Sequence, residues 1–281
     1  MKIRFWGTRG SIAVPGPETV TFGGNTTCVE VTTDLGHSAV IDAGTGIRIL
    51  GDSLLKRSKI RSINLFMTHI HWDHLMGLPF FGPLFHQDFR IIVNGCRKCF
   101  DGMKRVFSSD YVDGTWPVCF RDLKARIEPP KEIPMGTIEL EDVVVEQHRL
   151  QHPQGGLGFK FKESGKKFIF LTDNELTDEG WEGTRFKDFV EFCSGVDLLV
   201  HDCQYLPEEL DKRRGWGHSD TKSVAKLAVE TGAKQLILFH HDPWRTDEGV
   251  QKLVERCGAE LDRMNASIRL DAAREGATIT L

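Results

Sequence analysis

Thr68-His69-Ile70-His71-Trp72-Asp73-His74 places three histidines and one carboxylate within six positions, directly after the apolar run Ile63 to Met67 (INLFM). INLFM has the length of a strand, and LMGLPFFGPLF after the motif starts like a helix that Pro79 stops. The motif therefore occupies a loop at the carboxyl end of a strand. Side chains two apart in an extended loop point the same way, so His69 and His71 can grip one cation while Asp73 and His74, on the turn that follows, face a second. Chance clustering, or pairing with buried backbone, accounts for a lone histidine. Four ligand-type side chains of the right hardness for zinc in one turn of chain point to a metal loop. A two-metal site needs about three more ligands than this loop holds, and the remaining chain must supply them.

The chain has 281 residues, within the range of a single α/β sandwich spanning 1–281, and its 40% hydrophobic and 27% charged residues suit a soluble protein with a sizeable core. The start, MKIRFWGTRGS, lacks the apolar run of a secretory signal, and no stretch approaches the roughly 20 apolar residues of a spanning helix. Seven scattered cysteines are an odd number and read as reduced thiols in the cytoplasm. A net charge of −4 argues against an extended nucleic-acid surface, without excluding a local basic patch.

Along the chain, residues 3–33 read as strand, long glycine-rich loop, strand. The small loop residues either let backbone approach a ligand or only supply turns. HSAVIDAGTGIRIL follows as a strand ending in Asp42 and then a helix to about Leu55. Residues 96–130 mix aromatics, basic residues and turn formers without periodicity and read as a cap near the site. Tyr111 and Trp116 there are either base-stacking aromatics or cap core. Cys96 and Cys99 form a CxxC with no second pair, which reads as two ordinary thiols at a helix start. His37 and His86 read as surface histidines, and His148 as a strand residue. From Ile138 to Leu171 the pattern is hairpin-linked β. Helices are then expected at 186–193, 221–231 and 246–264, alternating with strands at 197–200 and 235–239, and Ser219-Asp220 caps the second helix.

Candidate ligands recur where strands end: His152 in QHPQGGLGF, Asp173 in FIFLTDNE, and His240 beside His241 in LILFHHDP. With the HxHxDH loop they resemble the motifs of the metallo-β-lactamase superfamily of metallohydrolases. The resemblance implies a four-layer αβ/βα sandwich. It also implies His69, His71 and His152 on one metal, Asp73, His74 and His240 on the other, and Asp173 between them. Asp42 would orient the metal loop, a role compatible with an Asx-turn into the helix, and His241 would be a neighbour. The nitrogen-rich set favours zinc, with manganese or iron as alternatives.

GWGHSDTKSVAKLAVETGAKQLILFHH, LLVHDCQY, GTRGS and GNTTC together resemble the ribonuclease Z branch of that superfamily. There a histidine in an HS turn, here His218, acts on the phosphate, and Asp202 stands where a glutamate is usual. The structural alternatives are a capping neighbour for His218 and a buried hydrogen-bonded pair for His201-Asp202. The branch's tRNA-processing members carry an arm between the motifs of His152 and Asp173. Here those residues are 21 apart (173 − 152), and FKESGKKF leaves room only for a hairpin. The chain therefore resembles the armless phosphodiesterases. The implied activity is hydrolysis of small phosphodiesters, cyclic nucleotides foremost, by a hydroxide bridging two metals, with Asp73, Asp173, His218 and Asp202 as catalytic side chains. A tRNA 3′-processing endoribonuclease and a thioester or lactam hydrolase are the alternatives. Relatives imply a homodimer.

Overall fold

In the computed structural model, which describes residues 1–57, 60–108, 117–130, 136–177 and 184–281, side chains along each central strand alternate between two cores. Leu236 and Leu238 face one cluster while Ile237 and Phe239 face another; Ile169 and Leu171 alternate with Phe168 and Phe170 in the same way. This period of two is what a strand buried on both faces requires.

The strands form two seven-stranded sheets among the described residues. The first runs β14 (Thr278–Thr280), β1 (Lys2–Gly7), β2 (Cys28–Thr32), β3 (Ser38–Ile41), β4 (Ser62–Phe66), β5 (Arg90–Asn94), β6 (Arg126–Glu128). The second runs β13 (Arg269–Ala272), β12 (Gln235–Phe239), β11 (Leu198–Asp202), β10 (Lys166–Leu171), β9 (Gly156–Glu163), β8 (Val143–Leu150), β7 (Thr137–Leu140).

Three apolar clusters separate four layers. One, with Phe5, Val31, Phe66, Phe161 and Phe170, lies between the sheets. A second joins the first sheet to the helices α1 (Ile47–Lys56) and α2 (Arg97–Val106). The third joins the second sheet to α3 (Phe186–Cys193), α5 (Thr221–Glu230) and α6 (Asp247–Arg263), with the single turn α4 (Pro207–Leu210) nearby. This is the four-layer αβ/βα sandwich expected from the sequence.

Each sheet is half parallel: β3 to β6 in one, β10 to β13 in the other. Parallel strands deliver their carboxyl ends to one edge, which is where open α/β sheets gather their sites. Residues just past three of those ends, Asp42, Asp173 and His240, have φ of 60°, 57° and 55°. That left-handed conformation costs a non-glycine residue on the order of 1 kcal/mol. It turns the backbone sharply, so each side chain looks back over the strand ends.

Two local expectations change. The helix expected after the metal loop is a series of 3-10 turns at Trp72–His74, Leu78–Phe80 and Gly82–Phe85. Pro79 and Pro83 open the latter two and cannot donate to a preceding carbonyl, so no α-helix propagates. The cap of α5 is Asp220 alone, whose carboxylate accepts from the backbone N–H groups of Lys222 and Ser223 at 2.8 and 3.2 Å. Ser219 instead donates its hydroxyl to the Asn174 carbonyl at 2.6 Å. Within 96–130, α2 packs on the outer face of the first sheet and β6 forms its edge. Tyr111 and Trp116 lie outside the described residues.

Candidate metal centre

The loop after β4 is held from beneath by Asp42. Its Oδ1 accepts the Thr68 N–H at 2.8 Å, and its Oδ2 accepts the Thr68 hydroxyl at 2.7 Å and Nδ1–H of His74 at 2.8 Å. The Thr68 oxygen, its proton committed to Asp42, accepts Nδ1–H of His69 at 3.0 Å. Nδ1 of His152 donates to the Gly217 carbonyl at 3.1 Å, and Nδ1 of His240 meets the Gln204 carboxamide at 2.9 Å. For His69, His74 and His152, the oxygen that accepts from Nδ1 leaves Nε2 as a lone-pair donor aimed into one cavity, while the amide nitrogen of Gln204 faces Nδ1 of His240 and holds that ring in place.

Around that cavity the donor atoms form two adjoining groups. His69, His71 and His152 make one, with Nδ1 of His71 and Nε2 of His152 3.0 Å apart. Asp73, His74, Asp173 and His240 make the other. In the second group, Oδ2 of Asp73 lies 3.3 and 3.2 Å from Nε2 of His74 and of His240, and Oδ2 of Asp173 lies 3.3 Å from both. Oδ1 of Asp173 turns the other way, 3.8 Å from Nε2 of His69 and 3.7 Å from Nε2 of His152. Asp173 thus offers one oxygen to each group.

These spacings fit a cation. Zinc–ligand distances of about 2.0–2.1 Å give a tetrahedral edge of about 3.3 Å, close to the separations in the second group. Nε2 of His69 and of His74 are buried without a hydrogen-bond partner among the described residues, a costly arrangement that a bound cation resolves. Electrostatics point the same way. Burial opposes ionisation of Asp73 and Asp173, yet the neighbouring histidines hold both carboxyls well below their usual range. Burial, with the fields of the other histidines, pushes His69 well down, keeping it a neutral ligand. For His74 the carboxylates of Asp73, Asp173 and Asp42 outweigh burial and raise its pKa, the pull that a cation in the cavity would take over.

His218 stands beside this cluster. Its ring stacks on His240 with centroids 5.2 Å apart, and a ring nitrogen lies within 4.8 Å of donor atoms of His152 and Asp173. Nδ1 of His218 is 3.4 Å from Oδ2 of Asp202. Asp202 is itself fixed by the backbone N–H groups of Asn174 and Ser219 at 3.0 and 3.1 Å. Burial disfavours the imidazolium, but Asp202 and the more distant Asp173 and Asp73 prevail and raise the His218 pKa. His201 turns away, its Nδ1 donating to the Asp202 carbonyl at 2.7 Å.

The histidines set apart from the sequence are elsewhere. Nε2 of His241 donates to the Ala273 carbonyl at 2.9 Å, and His148 packs against Phe189 and Phe192. His86 is exposed, and His37 pairs with Asp142 at 3.0 Å.

Several positioning groups escape a sequence reading because they act through backbone. The GTRGS loop delivers the Ser11 N–H to Oδ2 of Asp73 at 2.7 Å. Its Gly10 lies so close to His240 that a Cβ there would sit 2.5 Å from Cε1 of the ring. Arg9 is buried and donates to the carbonyls of Gly23, Asp242 and Arg245, tying this loop to the segment after His241. The Glu175 carboxylate accepts from the N–H groups of Gly215 and Gly217 and so shapes the turn whose carbonyl orients His152.

A cavity of about 270 Å³ opens beside the cluster, lined by His69, His71, Cys96, Lys98, Cys99 and Arg149 among others.

The family described as beta-lactamase superfamily domain matches residues 37–241. Ribonuclease Z of Ignicoccus hospitalis is 24% identical over 244 residues, 73% of this chain and 78% of that protein. Among solved structures, the metallo-beta-lactamase fold protein YhfI from Bacillus subtilis superposes with a TM-score of 0.71 at 15% identity, covering 99% of this chain and 98% of its own. The short form of human tRNase Z gives a TM-score of 0.62 at 22% identity, covering 100% and 99%.

Proposed function

Because the chain belongs to the beta-lactamase superfamily and is a metal-dependent hydrolase of the ribonuclease Z-like kind, we propose that it hydrolyses small phosphodiesters, cyclic nucleotides foremost. His218 carries this reading. A thioester or lactam hydrolase on the same cluster has no need of a phosphate-directed proton donor, whereas the leaving oxygen of a ribose ester does.

In the proposed site His69, His71 and His152 would hold one cation and Asp73, His74 and His240 the other, with Asp173 offering an oxygen to each group. Two divalent ions so held would supply Lewis acidity and make a bound water acidic enough to serve as nucleophile near neutral pH. Asp173 and Asp73 fix the orientation of the site through the contacts described above. Asp202 keeps His218 protonated and turned toward the cluster, so that its free nitrogen gives a proton to the departing oxygen and offsets charge building on the phosphate. The nitrogen-rich donors favour zinc over manganese or iron.

Small substrates are favoured by three observations. β9 and β10 are joined across residues 164–165 alone, so no arm extends between His152 and Asp173. The cavity of about 270 Å³ is near the lower end of ligand pockets, roughly 300–1,000 Å³. With a net charge of −4, long-range attraction for a polyanionic tRNA is weak. A single catalytic domain, a homodimer and a cytoplasmic location complete the proposal. The seven cysteines are all free thiols, as a reducing compartment would leave them.

The relatives named ribonuclease Z favour one second reading, tRNA 3′ processing. The deciding measurement compares turnover of bis-nitrophenyl phosphate, 3′,5′- and 2′,3′-cyclic nucleotides, and a precursor tRNA with a 3′ trailer, on protein with two metal equivalents. Cyclic-nucleotide hydrolysis is expected. Trailer removal with negligible cyclic-nucleotide turnover would replace this reading with the second, and activity on lactams or thioesters alone would remove both.

A further inference from the structure

Cys96 occupies the N-cap position of α2 and Cys99 lies in its first turn, with their sulfurs 3.0 Å apart. That is longer than a disulfide bond of about 2.05 Å and places one S–H in hydrogen-bonding contact with the other sulfur. Cys96 is exposed, while Cys28, Cys99, Cys193, Cys203 and Cys257 are buried and Cys119 is partly so. The hydrogen bond from Cys99, opposed by partial burial and aided by backbone N–H groups of the helix start and the Lys98 ammonium, brings the Cys96 thiol down to about 6. The same contact, with burial, pushes the Cys99 thiol up. One thiolate at the surface and one thiol behind it is the arrangement that thiol–disulfide exchange needs.

This pair is also mechanically joined to the metal loop. Both cysteines line the cavity that His69 and His71 line. Cys99 Sγ contacts the Met67 carbonyl at 3.8 Å. One turn further along α2, a Cβ on Gly102 would meet Cγ2 of Ile70, the residue between the two histidines, at 2.7 Å. The first turns of α2 and the loop are in close contact, so the helix start has little freedom to shift alone.

We propose that Cys96 and Cys99 form a reversible dithiol–disulfide site on the wall of the substrate cavity, oxidised by low-molecular-weight disulfides, whose closure lowers turnover by displacing the loop of His69 and His71. The Cys96 thiolate attacks one sulfur of the small disulfide. A Cys96–thiol mixed disulfide forms, and the first small thiolate leaves and takes a proton from water. Cys99 then attacks the Cys96 sulfur, the Cys96–Cys99 bond forms, and the second small thiolate leaves with the proton that Cys99 gives up. Two protein thiols lose two electrons, and one small disulfide becomes two thiols. Excess dithiol reductant reverses both steps. The effect on turnover rests on the phosphodiesterase reading, whereas the bond itself does not.

The test treats the metal-loaded protein with oxidised glutathione and follows intact mass, tryptic mapping and bis-nitrophenyl phosphate turnover together. The wild type is expected to lose two hydrogens at Cys96 and Cys99, to keep no glutathione, and to lose activity several-fold until dithiothreitol restores it. Cys99→Ser should retain one glutathione on Cys96. Cys96→Ser should acquire neither modification, and its turnover, whatever its level, should be the same with and without oxidant. Both cysteines remaining reduced in excess oxidised glutathione would overturn the proposal, as would equal inhibition of the wild type and Cys96→Ser. A disulfide that forms without loss of turnover would overturn its second half. Protein that forms the bond but in its reduced state hydrolyses no phosphodiester would count against the proposed function and leave the dithiol standing.

Discussion

Nδ1 of His74 donates to Oδ2 of Asp42 across 2.8 Å, with both side chains wholly buried. The bond fixes the tautomer that presents Nε2 to the cluster. Asp42→Asn can return a donor where an acceptor is needed, or leave His74 free to rotate. Partners of this kind typically alter metal affinity 10- to 100-fold. We expect Asp42→Asn to weaken the ion held by Asp73, His74 and His240 by about that factor and the other ion by less, since Asp42 reaches His69 only through Thr68, read by titrating metal into chelator-treated protein. Equal affinity for both ions in wild type and variant would show that Asp42 supports only the fold.

His218→Ala should leave metal content unchanged and cut cyclic-nucleotide turnover by about 10²- to 10⁴-fold. The loss on bis-nitrophenyl phosphate, whose leaving group departs without a proton, should be far smaller. Equal losses on the two substrates would remove His218 from the acid role.

Gly10→Ala tests the packing of the GTRGS loop. The added methyl would meet His240 at 2.5 Å and the Gln204 carboxamide at 2.7 Å, so the ring or the loop must shift. Overpacking of this kind costs about 1–3 kcal/mol. A lower melting temperature together with weaker retention of the ion on His240 is expected. A drop in melting temperature with metal retention intact would confine Gly10 to a packing role.

Burial pushes His241 down to about 3, whereas an unfolded histidine titrates near 6.5. Below about pH 6.5 the unfolded chain binds a proton that the folded chain refuses. The stability contributed by His241 is therefore complete above that pH and is lost as pH falls toward its folded value. His74 and His218 are shifted upward and act in the opposite sense. The comparison is accordingly made within a pair: metal-free wild type should lose more melting temperature between about pH 7 and pH 4.5 than metal-free His241→Gln. Parallel slopes would refute it.

Much of the fold was legible because strands buried on both faces leave apolar runs that end abruptly. Asp42, Asp173 and His240 each follow such a run, and the loop of His69 to His74 follows INLFM, so strand ends could be counted without knowing their arrangement. The groups that hold those side chains were not legible. The Gly217 carbonyl and the Ser11 N–H belong to backbone, which carries no residue signature. Gln204 and Glu175 look like any polar residues until the chain has folded. Cys96 and Cys99 read as ordinary thiols because their place on the cavity wall depends on how α2 lies over β4 and its loop. The extra helix expected after His74 failed for a local reason, two prolines spaced so that only single turns fit between them.

Four of the seven proposed donors, His69, His71, Asp73 and His74, ride on the first sheet, and three, His152, Asp173 and His240, on the second. In the proposed site each ion would thus be gripped from both sheets at once, and its binding energy would also be energy of sheet association. By thermodynamic reciprocity, whatever loosens one loosens the other. Phe168→Leu, in the apolar layer between the sheets and outside the donor set, should raise the dissociation constants of both ions, and saturating metal should recover part of its lost melting temperature. Ions so placed would act as rivets as well as reagents, and a mutation in the apolar layer would silence the enzyme by letting them go.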